Sequence, residues 1–164
     1  MTMSASSRAV LTCGCLLLTL CKGAMADVSV SIRGVVLAPP PCIINGESTL
    51  NVPFGDDLMT TRIDGVSYKR VVPYTVTCGP QPSNDMRLIL QGGGAGFDST
   101  LLSTSNSNLG VKLLINGVSW KLNSSVNFTY PTLPKMEAVL VRNLDSTLSG
   151  GAFSATATLV LAPQ

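Results

Sequence analysis

The sequence predicts an all-β chain folded as a two-layer sandwich, and three features carry that expectation. Short runs with a two-residue apolar repeat recur along the chain, separated by clusters of Gly, Pro, Asn, Asp and Ser. Between two of these runs stands Asn116-Gly117, the strongest short-range hairpin signal in the chain. Beyond the first 26 residues no segment of ten or more joins a helical apolar period to helix caps, so no substantial helix is expected. Seven or so short strands with regularly spaced turns point to a sandwich of immunoglobulin type.

Residues 1–26 read as a cleaved secretory leader: Arg8 in the n-region, an apolar run from Ala9 to Cys21, and Ala24-Met25-Ala26, which satisfies the small-x-small rule with cleavage after Ala26. The run is short for a bilayer span and is interrupted by Thr12, Gly14 and Thr19, so a retained anchor is the weaker reading. None of its cysteines has the neighbours a lipidation signal requires. Residues 27–37 follow. Alternation puts Val28, Val30, Ile32, Gly34 and Val36 on one face of an extended strand, and Pro39-Pro40-Pro41 stops it by removing backbone donors. This is a separate strand, and its partner is either its own domain or another molecule.

Cys42-Ile43-Ile44 then leads into an Asn45-Gly46 turn, and residues 49–54 alternate again as a strand before Gly55-Asp56-Asp57. Residues 59–64 read as a loop. Residues 66–78 are rich in β-branched and aromatic residues, with Pro73 marking an edge or bulge. A turn at 79–85 precedes a short strand at 86–91, and Gly92 to Gly96 reads as a flexible loop. Residues 109–115 and 118–122 form the hairpin around Asn116-Gly117, with a type I′ turn. Residues 126–130 extend the sheet, 136–141 make the next strand, and the longest β-like run, 152–162, closes the chain after Gly150-Gly151. Trp120 in the hairpin reads as a core or half-buried sheet residue.

Composition excludes several kinds of function. The chain has eleven Lys and Arg against nine Asp and Glu. Arg8 and Lys22 lie in the leader, so the mature chain is formally neutral and offers no electrostatic case for nucleic acid or an anionic membrane as partner. There is no histidine, which removes Ser-His-Asp and Cys-His nucleophile systems and the commonest zinc ligand, so no enzyme, metal site or cofactor is expected. Asp56-Asp57 is the only adjacent carboxylate pair and reads as a solvated turn rather than two acids converging across a cleft. Gly92 to Gly96 lacks the Gly-Lys-Ser/Thr ending of a phosphate loop. An outer-membrane barrel is disfavoured by sparse aromatics and the proline interruptions. After removal of the leader only Cys42 and Cys78 remain, and in an exported protein two cysteines most simply form one disulfide.

Taken in order, these features resemble a pilin subunit of the chaperone-usher fimbriae of Gram-negative bacteria: a leader, an alternating extension with an internal glycine (Gly34), Cys42 soon after it with its partner Cys78, the hairpin, and the ending Gly150-Gly151-Ala152-Phe153-Ser154-Ala155-Thr156-Ala157-Thr158-Leu159-Val160-Leu161. The resemblance covers essentially the whole mature chain. Residues 27–34 with Pro40-Pro41-Cys42 are especially similar to minor or adaptor subunits of the P-pilus tip and type 1 pilus family. It implies an incomplete immunoglobulin-like β-sandwich lacking its last strand, divided into a leader (1–26), an N-terminal donor-strand extension (27–37) and a pilin domain (38–164). The implied donor residues are Val28, Val30, Ile32, Gly34 and Val36, entering a neighbour's groove by strand addition. The implied partners are a periplasmic chaperone, an outer-membrane usher and neighbouring pilin subunits, on a route through the periplasm to a cell-surface fimbrium that supports adhesion. The chaperone-contact strand would comprise Gly151, Phe153, Ala155, Ala157, Leu159 and Leu161, Gly151 being the fourteenth residue from the end as the family pattern has it. The chain departs from that pattern at Pro163, where the family carries a tyrosine. A self-contained immunoglobulin-like binding module, whose first strand completes its own sheet, is the alternative.

Overall fold

The computed structural model describes residues 31–34, 42–81 and 83–164. The chain divides into two units at Val36/Leu37. In the first, residues 31–34 have no regular secondary structure and Ile32 is 92% exposed. Val28, Val30 and Val36, like Ala24 and Ala26 of the leader, lie outside the described residues.

The second unit is all β. Its strands are β1 (Cys42–Ile44), β2 (Arg70–Val71), β3 (Val76–Cys78), β4 (Asp85–Gln91), β5 (Gly94–Ala95), β6 (Asp98–Ser103), β7 (Leu109–Ile115), β8 (Val118–Trp120), β9 (Ser125–Thr129), β10 (Met136–Arg142) and β11 (Thr158–Pro163). The only helical pieces among the described residues are 3-10 turns at Asn45–Glu47 and Thr60–Arg62. Three antiparallel sheets result. The largest runs β2-β10-β7-β6-β5 with β8 added on β7; a second runs β11-β4-β9; β1 and β3 form the third.

The hairpin forms as expected, with Asn116 at φ 51° and Gly117 at φ 81°, the two left-handed residues of a type I′ turn, and Leu113 opposite Trp120. Met86, Leu88, Met136, Val139 and Leu140 are the largest fully buried side chains, and Trp120, 6% exposed, joins the core with its indole N–H unpartnered. Cys42 and Cys78 are bonded across the β1–β3 pair.

Four expectations give way, and one strand is not announced by the sequence at all. Residues 66–78 are two strands rather than one. Pro73 has no N–H for a ladder, the Tyr74 N–H turns back to the Val72 carbonyl at 2.9 Å, and the chain passes from the large sheet (β2 on β10) to the small one (β3 on β1). The β9 strand does not extend the hairpin's sheet but pairs with β4. β6 has no alternation to announce it, because its adjacent Leu101 and Leu102, one on each face, are both buried. The run at 92–96 is not a loose loop: Gly94–Ala95 pairs with β6, and a Cβ on Gly94 would sit 2.8 Å from the Ser99 carbonyl oxygen. Finally, residues 49–54 and 152–157 alternate like strands but have no ladder partner among the described residues.

The Gly94 contact is against backbone, which cannot rotate aside. Gly94→Ala is therefore expected to destabilise the fold by about 1–3 kcal/mol, read as a lower midpoint in urea with an unchanged slope.

Candidate functional site

Among the described residues the sheet β11-β4-β9 has an unpaired edge on each side, and two hydrogen bonds fix which groups are open. The Gln164 N–H donates to the Asp85 carbonyl (3.1 Å), in register with the β11–β4 ladder. Bonded pairs alternate with unbonded ones in an antiparallel ladder. Thr158, Val160 and Ala162 therefore exchange bonds with β4, whereas Leu159, Leu161 and Pro163 turn their backbone groups away from it. On the far side the Tyr130 N–H donates to the Asn84 carbonyl (2.9 Å), so Ser125, Asn127 and Thr129 face outward from β9.

The two edges differ in chemistry. The outward residues of β9 are polar and exposed, the usual protection of an unpaired strand. An open cleft of about 550 Å³ lies along this edge, lined by Ile115, Asn116 and residues 126–134. On β11, Leu159 and Leu161 stand opposite Leu90 and the fully buried Leu88, and pack on the core while remaining half-exposed. Open backbone and open apolar surface thus coincide at the same residues.

A second wall faces this edge. β1 comes within 8 Å of β11, Cα to Cα, yet among the described residues pairs only with β3. After it, residues 48–58 form neither helix nor strand and bend at Gly55-Asp56, Gly55 having φ 96°; before the bend Leu50, Val52 and Phe54 are half-buried, and Asn51 and Pro53 between them are exposed. The Phe54 ring lies 6.1 Å from that of Phe153, centroid to centroid and tilted by 50°, so the two unpaired segments meet there. Neither wall hangs loose. Arg70 Nη2 donates to the Phe54 carbonyl (2.8 Å), and the Met59 N–H donates to the Tyr68 hydroxyl (3.1 Å). The Ser154 N–H donates to Ser105 Oγ (3.0 Å), and the Ser105 N–H donates to the Ser154 carbonyl (2.9 Å). The arrangement is two fixed strand-like walls with apolar alternation and, among the described residues, no strand between them.

Among the described residues the perturbed ionisable groups sit away from these walls. The Lys135 ammonium, 2.8 Å from Glu137, holds that carboxyl below the usual carboxylate range, with Lys69 at 4.0 Å adding to the effect. Backbone N–H groups of Ser67 and Val66 lower Asp64, and the Thr100 hydroxyl and N–H lower Asp98. Burial pushes Tyr74 up to about 12, its hydroxyl donating to the Pro134 carbonyl at 2.7 Å. Each has a structural partner. What the walls can do is bury apolar side chains and complete a backbone ladder.

The residues expected to contact a partner strand distribute as follows. Phe153, Ala157, Leu159 and Leu161 are half-buried beside the core, Ala155 is exposed, and Gly151 is exposed at φ 137°, where glycine is favoured. Gly34 and Ile32 are exposed in the first unit, and a Cβ on Gly34 would meet nothing within 4 Å. Residues 50–54 were not among the expected site residues. Their alternation was legible, but alternation says which face is apolar and not whether a ladder partner exists.

A family model described as "Fimbrial protein" matches residues 30–163. Two curated relatives from Escherichia coli strain K12 are similar over most of their length. The uncharacterized fimbrial-like protein YfcQ is 36% identical, covering 82% of this chain and 86% of its own, and the uncharacterized fimbrial-like protein YfcR is 32% identical, covering 95% of each. Among solved structures, the P pilus rod subunit PapA superposes with a TM-score of 0.65 at 20% identity, over 76% of this chain and 99% of its own. The P pilus adaptor subunit PapF gives a TM-score of 0.57 at 21% identity, over 77% and 98%.

Proposed function

Because the chain belongs to the fimbrial protein family, and so is a structural subunit of a surface pilus rather than an enzyme, we propose that it is a minor or adaptor subunit of a chaperone-usher fimbria that polymerises by donor-strand exchange and supports cell adhesion. The observation that carries this reading is the edge of β11, where Leu159 and Leu161 turn their backbone groups outward and leave their core-packed side chains half-exposed, opposite a wall at residues 48–58 that has no ladder partner among the described residues. A strand laid between the walls would bond along β11 and cover the Phe54–Phe153 end, the strand-addition mode of recognition.

The chain carries a segment of the matching kind. Residues 27–37 alternate as a strand should, and burying Val28, Val30, Ile32 and Val36 in a neighbour's groove would contribute roughly 6–12 kcal/mol before ordering costs. Gly34 would lie where the receiving groove is shallow. Similarity of residues 27–34 and Pro40-Pro41-Cys42 to adaptor subunits favours a place at or near the tip. Before assembly a periplasmic chaperone would fill the groove through the strand bearing Gly151, Phe153, Ala155, Ala157, Leu159 and Leu161, and an outer-membrane usher would oversee its replacement. The leader at residues 1–26, cut after Ala26, would direct the chain to the periplasm on its way to the surface.

Deleting Asp27 to Val36 tests this. The expected result is a domain that still forms its disulfide and still co-purifies with its chaperone at one-to-one stoichiometry, but is missing from fibres. A deletion that instead unfolds an isolated, chaperone-free monomer would show that the segment completes its own sheet.

A further inference from the structure

The position of the proline near the end of β11 limits what the open edge can hold. Three residues there combine outward backbone groups with the core-facing parity: Leu159, Leu161 and Pro163, opposite Leu90, Leu88 and Met86. Leu159 and Leu161 can each donate an N–H to an added strand, but Pro163 can only accept. Its missing donor costs the existing sheet nothing, because Ala162 and Gln164 make the bonds to β4 at this end. A proline at either neighbouring position would break that ladder. The end is also clasped. Besides its backbone bond to Asp85, Gln164 donates its side-chain Nε2–H to the Met86 carbonyl at 2.9 Å, holding Pro163 in register.

Resting on the strand-addition reading above, we propose that Pro163 is a specificity-determining stop, which restricts backbone pairing by an incoming strand to the Leu159–Leu161 stretch of β11. A residue opposite Pro163 would have its carbonyl left without the edge donor and gains no full pair, so a strand continuing past this point is not rewarded for doing so. Hold must come from the other direction, toward Phe54 and Phe153, where the apolar walls close together. The partner this edge fits is an extended segment with two core-facing apolar residues opposite Leu161 and Leu159, and with a chain that leaves the sheet at position 163.

The test compares the chain from residue 27 onward with its Pro163→Ala variant, using a fluorescein-labelled synthetic peptide of residues 27–37 as the added strand. Dissociation is followed by anisotropy, and amide hydrogen exchange is measured with and without peptide. The variant is expected to release the peptide roughly 5-fold more slowly, as one net hydrogen bond gained predicts. The amides of Leu159 and Leu161 should become protected in both proteins, and the amide at position 163 should become protected in the variant. Thermal midpoints without peptide should coincide. Equal release rates with an unprotected amide at position 163 would overturn the stop while leaving strand addition intact. If peptide protects neither Leu159 nor Leu161 in either protein, the strand-addition reading fails and the stop with it.

Discussion

Leu161→Asp is expected to abolish strand docking at β11 while leaving the β11–β4 ladder in place. Leu161 stands opposite Leu88, which is 0% exposed, and packs on the core from a strand whose outer edge is open. In the empty groove a carboxylate at this position retains access to water from the open side, so the subunit tolerates it. A strand laid alongside removes that access, and the ionised group then loses its hydration, while residues 48–58 and 153–163 contain no Lys or Arg to compensate. Loss of apolar burial adds to the penalty. Together these predict at least roughly a 100-fold weaker affinity for an added strand and absence of the variant from assembled fibres. Val160→Ser is the matched control: Val160 lies on the same strand with opposite parity, and its backbone is bonded inward to β4. It should change affinity no more than about two-fold, as expected of a substitution facing away from the groove. Affinity measured with the peptide of residues 27–37, together with immunogold counting on fibres, separates the two variants. Equal loss in both would mean that β11 as a whole had been disrupted. Full binding by Leu161→Asp would move the docking edge elsewhere.

Much of the fold was legible because its signals are local. Asn116-Gly117 specifies its turn through the left-handed conformations those two residues tolerate, whatever surrounds them. The runs at 86–91, 109–115 and 136–141 are strands within a residue or so of the expected bounds, since a buried sheet needs continuous apolar, β-branched sequence. What escaped depends on distant partners. Leu101-Leu102 reads as a strand only once Gly110 is known to lie beneath Leu101, where a Cβ would be 3.1 Å away. Gly92 to Gly96 looks mobile in sequence because glycine permits mobility, yet in the fold the same lack of a side chain lets Gly94 pass against Ser99. Pro73 signals a break without saying that the two halves join different sheets.

The site shows the same division. Alternation identifies both apolar stretches, at residues 49–54 and 152–162, and predicts a strand at each. The structure gives the second a ladder only from Thr158 and the first none among the described residues. A sequence specifies which side chains seek burial; it does not specify whether the chain itself contains the strand that would bury them. The functional signal was therefore the disagreement between good alternation and missing pairing, which only the register of β11 on β4 and the Phe54–Phe153 contact bring into view.

Replacing both cysteines, Cys42→Ser with Cys78→Ser, is expected to give the largest loss of stability, because β1 has little else to hold it. It is three residues long, and it pairs with a strand of the same length. Its other edge faces β11 without bonding to it. Beyond the ladder, the Asn45 N–H to the Thr75 carbonyl at 2.9 Å is the next backbone bond along this wall. A sequence separation of 36 residues between the cysteines corresponds to about 3–4 kcal/mol in the chain-entropy account. For a domain of this size that is a fall of roughly 10–15 °C in thermal midpoint. The double variant avoids leaving a lone reactive thiol. Trp120 supplies the readout: it is the sole tryptophan and is buried in the core, so its emission should shift to the red as the core opens. Because β1 leads directly into the wall at residues 48–58, the same variant should also bind an added strand more weakly than its stability loss alone would cause, when both are measured below the unfolding transition. A midpoint within a degree or two of the parent would show that three residues of ladder suffice to hold β1. The disulfide would then serve something other than the stability of this wall.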